Sequence, residues 1–209
     1  MITTYQGLID AITSYLYDRK DLAPSIPHFV SAAEAKIYRL LRIRANEIVL
    51  TQQLSSNIFP IPSDYLETKL LAFDGIPLKR ISDSELATRQ IRDSKPAAPR
   101  NFARIGNEFY IHPPPGNIGE LTHVYYAHYN GALEQGQPSP VFDIAPDLYL
   151  HGALCEASAF LGQDSRIPVW ERLYLSTLEE LRLQEAEDEY SGTGIAVQNA
   201  EGSRYDRAY

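Results

Sequence analysis

The first apolar positions of the chain, Leu8, Ile9, Ile12, Tyr15 and Leu16, are spaced by one, three and four residues. That spacing is one face of a helix, and Thr3 or Thr4 ahead of it supplies an N-cap. The segment "DLAPSIP" breaks the pattern. A second helix is predicted from near Ser25, with Pro27 in its first turn, where a missing N–H costs nothing. Its apolar face is Phe29, Ala33, Ile37, Leu40 and Leu41. Lys36, Arg39, Arg42 and Arg44 on the other face make this the most basic stretch of the chain. They read either as a solvated face near a helix C-terminus, favoured by the helix dipole, or as a contact with an acidic neighbour.

From Ala45 the period changes. "EIVLTQQL", "NIFPIP", "TKLLAFDG", "IPLKRIS", "NFARIG", "NEFYIHP" and "ELTHVYYAHY" are short, rich in β-branched and aromatic residues, and separated by Gly, Pro and Asn. "DGIP" (Asp74–Pro77) and "IGNEF" (Ile105–Phe109) read as hairpin turns. "SDSELATRQ" interrupts as one short helix, with Ser82 and Glu85 in a capping pattern, and "IRDSKPAAPR" reads as an exposed loop.

After the Gly- and Pro-rich "NGALEQGQPSPVFD", helical spacing returns. "APDLYLHGALCEASAFLG" places Leu150, Leu154, Ala157 and Leu161 on one stripe and stops at Gly162, a C-cap residue. A last helix carries Trp170, Leu173, Tyr174, Leu178 and Leu181 on its buried side. Its stripe ends at Leu183, yet seven acids stand between Glu171 and Tyr190 against Arg172 and Arg182. A helix continuing past its stripe is either frayed or packed on another chain. The final stretch, 191–209, has no period and only Ile195, Val197, Tyr205 and Tyr209 as sizeable apolar groups, too little for a core of its own.

The expected fold class is therefore α+β. Residues 1–44 and 143–190 form one helical bundle, 45–130 an inserted small antiparallel sheet or barrel, 131–142 a connector, and 191–209 an extended C-terminal arm.

Composition narrows the function classes. The apolar fraction of 44% and charged fraction of 22% are those of an ordinary globular chain. No apolar run reaches the roughly 18 residues of a membrane span, and the N-terminus lacks the basic start and cleavage site of a secretory signal. Cys155 is the single cysteine, so neither a disulfide framework nor a thiolate metal cluster is expected. A net charge of −8 argues against gripping nucleic acid, which needs clustered Lys and Arg. The 14 tyrosines suit either interfaces or the edge of a core.

Catalytic patterns are missing: no phosphate loop, dinucleotide Gly motif, G-x-S-x-G or H-E-x-x-H occurs. His112, His123 and His128 fall in or beside strands, and the five-residue offset of the last two sends them to opposite faces. His151 and Cys155 are neighbours on a helix. They form either a Cys–His pair without an orienting acid or, in the plainer reading, a small buried thiol. No catalytic residue, cofactor or metal is expected. The run Glu185–Glu189 is a weak cation binder or a solvated helix end.

Several blocks resemble tailed-phage head–tail adaptor (head completion, portal-docking connector) proteins. They are the break D-L-x-x-x-I-P before A-E-x-x-I-x-R-x-L-R-x-R (Ala33–Arg44), then "IPSDYLETKLLAFDGIPLKRIS", then "APDLYLHGALCEASAFLGQDSRIPVWERLYLSTLEEL". The likeness runs in order from Tyr5 to Leu183. It implies a structural virion protein, not an enzyme, assembled in the host cytoplasm as a ring, usually twelvefold, beneath the portal protein. The ring would extend the DNA channel, let DNA pass without specific binding, and meet a downstream tail (nozzle or tube) protein. The resemblance also implies an arm that orders against the portal or a neighbouring subunit through Ile195, Val197, Tyr205 and Tyr209. Arg39, Arg42 and Arg44 become candidates for a subunit interface, and Glu185, Glu187, Asp188 and Glu189 for an acidic surface near the channel. The alternative is a tail-associated module whose β insert contacts host glycan or another tail protein through Tyr110, Tyr125, Tyr126 and Tyr129.

Overall fold

The computed structural model describes residues 2–17, 19, 21–129, 131, 133–137, 139–162 and 164–190, and side chains of the last helix as far as 188. Helix α1 (Tyr5–Tyr15) starts where Thr4 accepts the Gly7 N–H at 3.0 Å, which satisfies one of the free donors of the first turn. Helix α2 (Ile26–Leu40) follows a 3-10 turn and carries Pro27 near its start. Strands β1 (Glu47–Leu54), β2 (Ile58–Pro60), β3 (Tyr65–Phe73), β4 (Ile76–Pro77) and β5 (Lys79–Arg80) come next. Helix α3 (Asp83–Arg92) is capped by Ser82, whose hydroxyl accepts the Glu85 N–H at 3.2 Å. Strands β6 (Asn101–Ile105), β7 (Glu108–His112) and β8 (Gly119–Ala127) complete the insert. Helices α4 (Pro140–Ile144), α5 (Pro146–Ala157) and α6 (Ile167–Tyr190) close the described chain.

The architecture is α+β, with helices from both ends of the chain around one core and small sheets between them. The strands divide into two four-stranded sheets, ordered β1-β8-β3-β4 and β2-β7-β6-β5. Pairing is antiparallel apart from β5, which lies parallel to β6. β8 alternates strictly, with Leu121, His123, Tyr125 and Ala127 inward and their neighbours outward, so one face is committed to the core. Leu54, Leu71, Phe73 and Leu121 of the first sheet meet Phe59, Phe102, Phe109 and Ile111 of the second in a single cluster. The sheets thus face each other as a small sandwich. Helix α3 covers the second sheet from outside, burying Leu86 against Ile81, Ala103 and Tyr110. Both hairpin turns occur as expected. Asp74 and Gly75 take φ of 48° and 74°, and Gly106 takes 60°.

The bundle core draws Leu8, Ile12 and Leu16 from α1, Phe29, Ala33 and Ile37 from α2, Val141 and Phe142 from α4, and Trp170, Tyr174 and Leu178 from α6. Helix α5 lies inside it. Leu148, Tyr149, Leu150, Gly152, Ala153, Leu154 and Ala157 are all buried, which leaves only a narrow solvated strip of Asp147, His151, Cys155 and Glu156, so the one-stripe expectation understates its buried face. Gly152 lets the helices approach closely, because an added Cβ would stand 3.1 Å from Ala33 Cβ and 3.2 Å from Tyr174 Cε2. Three positions expected inward are in fact exposed, Tyr15, Leu40 and Leu173. The segment expected as a plain connector contributes α4, which inserts Val141 and Phe142 into the bundle. Residues 191–209, including the expected arm, lie outside the described residues.

Candidate functional site

Helix α2 ends at Leu40, so Arg42 and Arg44 stand beyond it rather than on its face. Orphan carbonyls of a last helical turn need donors. Arg42 Nη1 donates to the Tyr38 carbonyl at 2.6 Å and to that of Leu41 at 3.0 Å. From α6, Arg182 Nη2 donates to the Leu40 carbonyl at 2.8 Å. Arg42 also ties the bundle to the first sheet, its Nε lying 3.2 Å from Glu67 Oε2.

Arg44 reaches the other way. Its Nε is 3.3 Å from Glu185 Oε1, and its backbone N–H donates to Glu185 Oε2 at 3.0 Å. The end of α6 is therefore fastened to the start of the insert. Around this contact a cleft of about 180 Å³ is lined by Ile43, Ala45, Ile144, Leu181 and Gln184 beside the ion pair. Of Arg39, Arg42 and Arg44, only Arg44 is brought to the α6 end, and Arg42 and Arg44 already hold carboxylates of their own chain. Arg39 is exposed.

Of the four acids expected on a channel-facing surface, Glu185 is half-buried against Arg44, whereas Glu187 and Asp188 are exposed. The Glu189 side chain and the arm anchors Ile195, Val197, Tyr205 and Tyr209 lie outside the described residues.

The tyrosines of the alternative reading do not share one exposed plane. Tyr125 is buried and donates to Asp64 Oδ1 at 3.0 Å; burial first, then Asp64, push its phenol up to about 12. Tyr129 packs toward Tyr38, with ring centroids 6.0 Å apart. Tyr110 lies on β7 against the α3 cluster, and Tyr126 on β8 in the other sheet.

The chemical candidates have structural explanations. His123 is fully buried, its Nε2 3.0 Å from Thr68 Oγ1, and burial lowers its pKa to about 4. Burial raises the Cys155 thiol to about 11, opposite in direction to an activated nucleophile. Among the described residues no group of three or more His, Cys, Asp or Glu could hold a metal ion. Nor is any described helix long and apolar enough to cross a membrane.

Sequence reasoning missed Glu34, a carboxylate only 2% exposed on α2. Its Oε2 accepts the Gly131 N–H at 2.5 Å, and its Oε1 has no partner among the described residues. Burial, opposed by that hydrogen bond and helped by nearby Glu134, raises its pKa to about 7. The signal was its place among apolar positions: Val30, Ala33, Glu34 and Ile37 share one buried face.

The helical core and the sandwich are thus joined at their junction by ion pairs within the chain. The profile of the SU10 adaptor protein family matches residues 3–198, so the chain belongs to that family of phage head–tail adaptors. A search of curated proteins finds no match.

Proposed function

We propose that the chain is a structural virion protein that forms a ring, twelvefold in the simplest assembly, beneath the portal protein of a tailed phage. The ring extends the DNA channel, lets DNA pass without specific binding, and presents its far side to a nozzle or tube protein of the tail. It assembles in the host cytoplasm and needs neither cofactor nor catalytic residue. The family match across nearly the whole chain carries this reading.

Two structural features support it. A rigid bundle braced to a sandwich gives each copy two unlike surfaces, which a head-to-tail ring requires. The contact of Glu185 with Arg44 fastens α6 to the start of the insert, and residues 191–209 follow α6 in sequence. In this reading they add to the portal or a neighbouring copy through Ile195, Val197, Tyr205 and Tyr209, with the intervening glycines allowing close backbone approach. Arg39 faces the next subunit, and Glu187 and Asp188 lie toward the channel. The test is removal of residues 191–209 followed by imaging of purified particles. The reading expects the position under the portal to be empty or partly filled; full occupancy would remove the arm from the account.

A further inference from the structure

Charge is distributed very unevenly along this chain. Its net charge is −8, yet the segment Lys79–Arg104 holds seven basic residues against three acidic ones. The fold gathers part of that segment into one place. A cleft of about 400 Å³ lies between the end of α3, the loop after it and the end of β7, and Arg89, Arg92 and Arg100 are on its wall. Arg92 and Arg100 are exposed. Arg89 is half-buried and holds Glu85 one turn back at 2.7 Å. Two buried polar residues line the cleft beside Ala97, Ala98 and Pro113: Asn101 is 8% exposed and His112 5%, and His112 Nδ1 has no partner among the described residues. Beside it, Lys79 and Arg80 stand exposed on β5, the edge strand of the second sheet, where positive charge also blocks edge-to-edge pairing.

The acidic counterpart is α6. Glu179, Glu180 and Glu187 are exposed on it, and it packs in the bundle while α3 packs on the second sheet. On α6, Glu185 pairs with Arg44 and Glu179 with Arg182 along the helix, and on α3 Arg89 pairs with Glu85. One chain thus carries two oppositely charged surfaces on different layers of its fold, the requirement for a contact that repeats from copy to copy.

The geometry points to the α3 cleft as a carboxylate-binding site for the acidic face of α6 on a second copy of the chain. This rests on the oligomeric reading given above and names its two faces. Guanidinium groups suit the role because each can hold a carboxylate with two parallel N–H donors. A duplex fits less well: it carries a charge every ~1.7 Å of its axis, a denser polyanion than an acidic helix, and the net charge of −8 opposes it.

The test uses two full-length variants, Arg92→Glu with Arg100→Glu, and Glu180→Lys with Glu187→Lys. All four side chains are exposed, and circular dichroism checks that each variant folds. Sedimentation velocity of the wild-type chain should show association that weakens with salt. Each variant alone should associate about tenfold or more weakly, because like charges then face each other. An equimolar mixture should recover most of the wild-type association, since the acidified cleft of one variant meets the basic helix of the other. A mixture no stronger than its components overturns the proposal, as does a wild-type chain that stays monomeric at every concentration. If both variants associate as the wild type does, this contact fails while the oligomer stands. A fluorescent duplex probe that loses binding with Arg92→Glu and Arg100→Glu, while self-association is unchanged, assigns the cleft to phosphate instead.

Discussion

The Glu185 carboxylate holds Arg44 twice, through the guanidinium at 3.3 Å and through the backbone N–H at 3.0 Å, across 141 residues of chain. The second bond matters more than the first, because it survives truncation of the arginine side chain. It joins the last turns of α6 to the strand-forming part of the protein, and it explains why a helix continues after its apolar stripe has ended. The sequence suggested a frayed or neighbour-packed end; within the chain, Glu185 is anchored to Arg44.

Substitution at this pair should reveal the asymmetry. Arg44→Ala removes a half-exposed ion pair and is expected to cost about 0.5 kcal/mol. Glu185→Ala removes the same pair and also leaves the Arg44 N–H without its acceptor, for a loss of about 1–2 kcal/mol. Urea unfolding of both single variants and the double variant gives the coupling. Equal losses for the two singles would mean that the backbone bond contributes nothing.

Glu34 and His123 act on stability in opposite directions with pH. Burial raises the Glu34 pKa to about 7 in the folded chain, above its ordinary carboxylate value. The folded state therefore binds a proton that the unfolded state has already released, and stability falls as pH rises from about 4.5 through 7. Burial lowers His123 to about 4, below its ordinary imidazole value, so its contribution is complete above about 6.5 and is lost as pH falls toward 4. Between pH 5 and 7 each is on the order of 2 kcal/mol, and they offset. The wild-type chain should show a flatter profile there than either group alone would give, with His151, also lowered by burial, adding to the His123 side. Glu34→Gln leaves the His123 effect uncovered and should lose about 2 kcal/mol between pH 7 and 5. A flat profile for that variant as well would contradict the assignment.

Cys155 should be sluggish toward thiol reagents. With the thiol raised to about 11 by burial, helped by the charge of Glu171, the thiolate at pH 7.5 is about a hundredfold scarcer than for an ordinary cysteine. A disulfide reagent should therefore react at least that much more slowly with the folded chain than with the unfolded one. Reaction at the unfolded rate would show that the thiol is neither buried nor raised.

Gly152→Ala tests the close packing of α5. The added methyl would crowd Ala33 and Tyr174, and the core around it is filled on all sides. Overpacking of this kind costs about 1–3 kcal/mol, more than the gain in helix propensity returns. A thermal midpoint equal to or above that of the wild-type chain would indicate that α2 and α6 can move apart.

Local features were legible in the sequence because they depend on neighbouring residues. The Thr4 and Ser82 caps, the turns at Asp74–Gly75 and Gly106, and the alternation of β8 were all readable from spacing and residue type. What depends on distant packing was not. Helix α5 hides its depth in the bundle, since a helix buried over most of its circumference shows only a weak apolar period. Two-residue strands such as β5 are too short to declare a partner, and the parallel pairing of β5 with β6 comes from α3 crossing between them. Leu40 and Leu173 continue their stripes but pass the edge of the core. At the candidate site, Arg42 and Arg44 read as one basic helix face, whereas the helix ends first and sends them to Glu67 and Glu185, partners 25 and 141 residues away. Charge type was visible; pairing was not.

An averaged image of the assembled head–tail connector tests the central claim most directly. The account predicts a closed ring of this chain directly below the portal, with bundle and sandwich repeating around the DNA channel. If the chain is found elsewhere in the particle, or in isolated copies that do not touch one another, the account is wrong.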